Sequence, residues 1–292
     1  MFTVLQKAKK HPSQAKVHNT VAAVKGDFAR LLAGILKGHV AGISVTKLER
    51  LIRQGNIQAV IDALELDKLD AAIEGGISEG LARALALGAK TAMEELRSGI
   101  EFDILRESAL KWIDDHGAKL VVQVSQAQRE GVNKIVRGIV TQGWHPKEAA
   151  GLIRQSVGLH TRFADAVRRY YDTLIASGIK SDRALTQAAK YADRLRDKRA
   201  ETIARTEAMS AVNRGRQEYW KQLKDRGAFT GKRIMREWLV SPDERLCDIC
   251  APMDGQRRKI DDPFVAGDGT LVDAPPVHPN CRCTVRLVEV RR

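Results

Sequence analysis

Residues 200–223 read AETIARTEAMSAVNRGRQEYWKQL. Ala200, Ile203, Ala204, Ala208, Ala211, Val212, Gly215, Tyr219 and Leu223 return at spacings of three and four, one continuous stripe at helical period. Small residues dominate that stripe, so a second helix can approach it closely. The remaining faces carry Arg199, Arg205, Arg214, Arg216, Lys221 and Lys224. Such residues make either a plain solvated face or a contact with a polyanion, and the density of arginine keeps DNA or an acidic partner in play. The pattern reaches back to a capping Ser181-Asp182 and on to about Lys224, as one long helix or a helix pair.

Upstream the text stays helical. Residues 146–177 read as a helix pair: Pro146 opens the first helix, Gly158-Leu159 makes the corner, and Phe163, Val167, Tyr170, Tyr171 and Leu174 mark the second. A helix–Gly–helix corner is a plain helical hairpin before it is a DNA clamp. Pro12 and Pro146 are the only prolines before residue 230, each placed to start a helix. Val21, Val24, Phe28, Leu31, Leu32 and Ile35 form an amphipathic stripe, followed by Leu48, Leu51 and Ile52 and then Val60, Ile61 and Leu64. Segments 66–98 and 102–141 continue the pattern, with breaks expected at Gly75-Gly76, Gly80, Gly88 and Gly99.

Downstream of Gly231 the texture changes. Residues 234–240 and 283–290 alternate loosely, with 256–260 between them, and read as short strands. Six of the eight prolines fall between Pro242 and Pro279, so the connections are irregular. A loop-rich module of this size has little core of its own and needs a staple. The fold expected is mainly α: a helical region 1–143, a helical middle region 144–230 with the basic helix, and a small zinc-stapled α+β module, 231–292.

The staple is read from Cys247, Cys250, Cys281 and Cys283, which are all the cysteine in the chain. Clustered cysteines without a secretory signal point to metal before disulfides, and residues 1–10 put a basic cluster after a short apolar patch with no long hydrophobic run. Cys247-x-x-Cys250 gives two thiolates at a spacing that grips one metal in a tight turn. His278-x-x-Cys281 repeats that gap, so Cys247, Cys250, His278 and Cys281 make a tetrahedral three-thiolate, one-imidazole set for structural Zn²⁺. Cys283 is the alternate fourth ligand, disfavoured because Cys-x-Cys is the more awkward bite. Arg245 and Arg282 stand near enough to offset the negative charge of such a site. A redox pair lacks its βαβ context, and His11, His18, His39, His116, His145 and His160 are scattered.

Lys plus Arg (49) less Asp plus Glu (36) leaves +13 over 292 residues. From Lys180 to Arg236 there are 16 basic and 7 acidic residues, so one fifth of the chain holds most of that excess. Polyanions or acidic protein surfaces are the partners this favours. No stretch approaches the roughly 18 apolar residues of a membrane span.

Three blocks then become recognisable. Ala204-Arg205-Thr206-Glu207-Ala208, Asn213-Arg214-Gly215 and Trp220 form the first. Glu237-Trp238, Asp243-Glu244-Arg245-x-Cys247-x-x-Cys250 and Met253-Asp254-Gly255-Gln256 form the second, and Ala274-Pro275-Pro276-x-His278-Pro279-Asn280-Cys281-Arg282-Cys283 the third. In this order and spacing they resemble the phage head-morphogenesis family, the Mu F-like minor head proteins, over about residues 145–292. Where that family often has Thr-Pro after the Gly-Leu corner, this chain has His160-Thr161. The resemblance implies a minor capsid protein of a tailed phage or prophage, in the virion at the capsid interior or portal vertex and in the host cytoplasm during assembly. Its implied partners are the portal protein, other capsid or scaffold proteins and, nonspecifically through phosphates, DNA.

The resemblance implies no enzyme. Asp243, Asp254 and His278 can be imagined as a hydrolytic set, but His278 is better used as a ligand; no phosphate-binding glycine loop and no His-Glu-x-x-His occurs. A head-associated nuclease or toxin-like enzyme is therefore one rival reading. A nonspecific or regulatory DNA-binding zinc protein is the other, though the spacing is not that of a two-Cys, two-His finger.

Overall fold

The computed structural model describes residues 11–142, 144–241 and 245–290, the side chains of 139–142 excepted. The basic start at 1–10 and the Asp243-Glu244 pair lie outside them. Helices α1 (Pro12–Gly42), α2 (Val45–Arg53), α3 (Ile57–Asp62), α4 (Leu66–Leu96), α5 (Glu107–Gln142), α6 (Pro146–Ser156), α7 (Thr161–Ala176) and α8 (Ser181–Asp225) precede five short strands. Strands are β1 (Ile234–Leu239), β2 (Arg257–Arg258), β3 (Phe264–Val265), β4 (Leu271–Val272) and β5 (Thr284–Glu289). The expected mainly helical chain with a small C-terminal strand module is what the structure has.

Local chemistry accounts for the helix starts. Ser44 accepts from Lys47 N at 3.2 Å to cap α2, and Asn56 accepts from Ala59 N at 3.0 Å to cap α3. Pro146 opens α6 behind His145, and the corner before α7 turns at Gly158 with φ +76°. Helix α8 is one unbroken helix of 45 residues. The glycines expected to interrupt 66–98 do not, for α4 runs through Gly75, Gly76, Gly80 and Gly88.

The chain divides into two compact units that are each discontinuous in sequence. The first comprises residues 1–27, 79–114 and 202–292, the second 28–78 and 115–201. Helices α1, α4, α5 and α8 each contribute residues to both.

In the second unit buried polar groups hold the helix ends. Asp70 accepts from Ser125 Oγ at 2.5 Å, Gln128 Nε2 at 3.0 Å and Arg129 at 2.8 Å. Arg196 donates to the carbonyls of Val157 at 3.0 Å and Gln155 at 2.8 Å. Arg199 donates to those of Gly158 at 2.8 Å and Val124 at 3.0 Å, and its burial lowers its pKa to about 10. Leu36 and Leu32 are buried where the α1 stripe predicted Leu31 and Ile35 beside Leu32; Leu31 is 39% exposed.

In the first unit α4 and α8 cross closely. A Cβ on Gly88 would lie 2.1 Å from the Val212 carbonyl oxygen, and one on Gly215 would lie 1.9 Å from that of Leu85. Only glycine permits such an approach. Strand β1 is central in the sheet β2-β1-β5, antiparallel to both neighbours, with Trp238 opposite Val285 and Glu237 opposite Arg257 and Arg286. Strands β3 and β4 form a separate hairpin that the sequence pattern did not suggest. The strand module does not rely on its own apolar residues alone. Ala89 and Ala92 of α4 and Tyr219, Trp220 and Leu223 of α8 join Trp238, Met253, Phe264 and Val285 in one core.

Candidate metal centre

Two tight turns carry the donors. In 247–250 the amide of Cys250 donates to the Cys247 carbonyl at 3.1 Å, and in 278–281 the amide of Cys281 donates to that of His278 at 3.1 Å. Each x-x gap is thus a turn that brings its two donors to one side. Asn280 takes φ +60°, a conformation that asparagine tolerates, and its amide donates to Thr206 Oγ1 of α8 at 3.2 Å. From α1, His18 Nε2 donates to the Arg282 carbonyl at 3.0 Å and Gln14 Nε2 donates to that of Val240 at 3.1 Å. The second turn is therefore held by α1 and α8 as well as by its own strand.

The donor atoms converge. His278 Nε2 stands 3.1 Å from Cys247 Sγ and 3.3 Å from Cys250 Sγ, and Cys250 and Cys281 sulfurs are 3.8 Å apart. A tetrahedral zinc with ordinary bond lengths would set sulfurs about 3.8 Å apart and sulfur and nitrogen about 3.5 Å apart. His278 Nδ1 lies 2.9 Å from the Pro279 carbonyl, which can only accept. The proton is therefore on Nδ1, and Nε2 turns its lone pair toward the sulfurs, the arrangement of a ligating histidine. A cavity of 20 Å³ among these residues has room for one ion. The donor set fits a metal: Cys247, Cys250 and His278 form one group able to hold an ion, and Cys250, Cys281 and Cys283 another.

Protonation separates the cysteines. The hydrogen bond from Cys283, ahead of the opposing burial, brings Cys281 down to about 5. Cys283 is pushed up by that same bond and by burial, so it keeps its proton. Burial and the charge of Cys281 raise Cys250 to about 12. Burial opposes the Cys247 thiolate, but hydrogen bonds from Cys250 and from the Ile249 backbone bring it below its ordinary value.

The basic residues expected on the remaining faces of α8 are dispersed. Arg199 and Arg216 are buried, a correction to that expectation. Arg216 is buried because α4, the loop before α5 and the sheet enclose 211–223, and Arg199 because it reaches the carbonyls of Gly158 and Val124. Arg216 pairs with Glu95 at 2.8 Å, donates to the Val285 carbonyl at 3.1 Å and stacks over Trp220 at 5.1 Å. Arg214 pairs with buried Glu218 at 2.7 Å, which also accepts from Ser108 at 2.6 Å. Lys221 stands 3.9 Å from Glu218, and Lys224 pairs with Asp261. Arg205 instead lines a groove of 280 Å³ with His18, Lys25, Arg245 and Arg282. His18 and Lys25 were not singled out from the sequence; nothing near them in the chain announces a partner some 260 residues on. Asp254 of the imagined hydrolytic set accepts from Val240 N at 3.1 Å, a turn contact.

Residues 165–286 match the family described as Phage Mu protein F like protein. That match covers 122 of the 292 residues, in the C-terminal part of the chain. No curated protein and no solved structure matches the chain. The matched region begins inside α7, takes in all of α8 and β1 to β4, ends inside β5, and contains all five candidate metal donors. Residues of α1 and α4 that complete the first unit lie outside it. Among the described residues no single helix is long and apolar enough to cross a membrane.

Proposed function

We propose that the protein is a minor head protein of a tailed phage or prophage, working in head morphogenesis. The observation that carries this is the Mu F-like match over 165–286, which contains the complete donor cluster. In this reading Cys247, Cys250, His278 and Cys281 hold one structural Zn²⁺. Four protein donors leave it no open coordination position, so the ion's role is to staple the loops between β1 and β5. The protein docks at the portal vertex or capsid interior, with capsid or scaffold proteins as neighbours. Of the basic residues of α8, Arg205 supplies a contact to an acidic portal surface or to DNA, whereas Arg214, Lys221 and Lys224 stand against Glu218 and Asp261. The reading assigns no catalytic residue.

Mass spectrometry of purified particles, with metal analysis of the purified chain, tests the proposal. The expected result is this chain at low stoichiometry beside portal and capsid proteins, with one zinc per copy. Its absence from particles while it accumulates in the infected cell would overturn the assignment.

A further inference from the structure

We propose that the open edge of β1 at Ile234 is a docking site for an extended acidic peptide segment of a partner protein, which adds to the sheet as a short strand. This does not rest on the head-protein reading and is tested by binding alone. Along a strand, successive residues turn their main-chain groups to opposite sides. Val290 N donates to the Arg233 carbonyl at 2.9 Å on the β5 side. On the β2 side Trp238 N donates to the Gln256 carbonyl and the Trp238 carbonyl accepts from Gly255 N, each at 2.9 Å. Ile234, Arg236 and Trp238 therefore aim their N–H and C=O groups toward β2. Arg236 pairs with Arg258, the last residue of β2. Beyond it the chain leaves the sheet, wrapping the Arg236 guanidinium, which donates to the carbonyls of Lys259, Asp262 and Asp273. Among the described residues nothing hydrogen-bonds the Ile234 main chain from that side.

The gap so left is a cavity of 360 Å³, bounded by Ile234, the departing residues 259–262 and the turn that follows α8. Phe229, Ile234 and Ile260 give it an apolar wall. Lys232 and Lys259 stand exposed beside that wall, and among the described residues neither ammonium has an ion pair. The carboxylates of the cavity are already answered. Asp261 pairs with Lys224, and the charge of Asp262 acts on Lys224 and Arg236. An N–H and a C=O left over on a strand edge are met together by another extended backbone. Side chains of such a segment alternate between two faces, so apolar ones can cover the wall while the carboxylates between them reach the two lysines. A small anion would answer the lysines and leave both the wall and the strand edge bare.

The test uses the full-length, metal-loaded protein and a dye-labelled peptide that alternates glutamate and valine, followed by fluorescence anisotropy. Saturable binding is expected, and Lys232→Ala and Lys259→Ala should each weaken it severalfold. Reversing both charges, Lys232→Glu with Lys259→Glu, should abolish it and admit the matching lysine–valine peptide instead. Of two peptides methylated on alternate backbone nitrogens, the one that presents its methylated edge to β1 should bind about tenfold worse, the cost of a lost main-chain hydrogen bond. Lys111→Ala, an exposed lysine of α5 that does not line the cavity, should change nothing. Unaltered metal content and circular dichroism exclude misfolding of the variants. No saturable binding by the wild type would overturn the proposal, as would wild-type binding by both lysine variants or an equal loss in Lys111→Ala. Undiminished binding of both methylated peptides would overturn strand addition in favour of a plain anion site.

Discussion

At Cys283 the question is whether a fifth donor belongs to the metal. The sulfur is buried, shares the second donor group with Cys250 and Cys281, and lies one residue from Cys281. To serve as a ligand, however, it would have to share one ion with Cys281 across a single intervening residue, the more awkward bite. His278 is already prepared as a ligand, with Nδ1 tied to Pro279 and Nε2 facing two sulfurs. Cys283→Ser should therefore retain one equivalent of zinc after dialysis against a mild chelator, since a hydroxyl still donates to Cys281. His278→Ala should lose most of it, with affinity falling at least 10- to 100-fold, by roughly the loss seen when even an outer-shell partner is removed. Equal retention by both variants, or loss from Cys283→Ser alone, would point to the four-thiolate set. The spacing in the sequence was enough to name all five donors. Spacing also favours His278 over the more awkward Cys-x-Cys bite, and the hydrogen bond from His278 Nδ1 to the Pro279 carbonyl, made only in the folded turn, supports that preference.

Among the elements, α8 shows where periodicity is informative and where it stops. Of the stripe, Ala200, Ala204, Ala208, Ala211, Val212, Gly215, Tyr219 and Leu223 are buried and Ile203 is half-buried, as three- and four-residue spacing favours. The opposite faces are another matter. Asn213 accepts from Thr284 Oγ1 at 2.7 Å, and Gln222 donates to the Asp103 carbonyl at 2.8 Å. These partners lie about 70 to 120 residues away in the chain, so polar residues that look solvated are in fact core connectors. The β3–β4 hairpin was illegible for a related reason, because two-residue strands leave no alternation to detect. The close crossing of α4 and α8 makes its own prediction. Gly215→Ala would force its methyl into the Leu85 carbonyl, a backbone atom that no rotamer change can move aside. Destabilisation at or above the roughly 1–3 kcal/mol of ordinary overpacking is expected in urea titrations. Gly99→Ala, whose added Cβ meets nothing within 4 Å, is the control and should be near neutral. Similar midpoints for the two variants would mean the crossing is looser than its carbonyl contacts indicate.

At the scale of the molecule, the region that carries the family match is not the region that folds together. The match runs from 165 to 286, whereas the unit holding the donors combines 1–27, 79–114 and 202–292. Segments from outside the match make specific contributions to that unit. Gln14 and His18 satisfy the carbonyls of Val240 and Arg282, Thr20 bonds Thr91 at 2.9 Å, and Glu95 pairs with the buried Arg216. Ala89 and Ala92 close the core over Tyr219 and Trp220. Cutting the chain at residue 165 removes all of these at once. Arg216 is then left without Glu95, and two tryptophans and a tyrosine lose part of their cover. Leaving one partner of a buried ion pair alone costs about 3–5 kcal/mol, comparable to the whole stability of a small domain. A fragment of residues 165–292 should therefore bind zinc locally in its turns yet give a poorly dispersed amide NMR spectrum and rapid proteolysis through α8. Co-expression with residues 1–114 should restore both dispersion and protection, because that piece supplies all of α1 and α4. A well-dispersed, protease-resistant 165–292 fragment would show instead that the Mu F-like region is an autonomous domain, with α1 and α4 as additions to its surface.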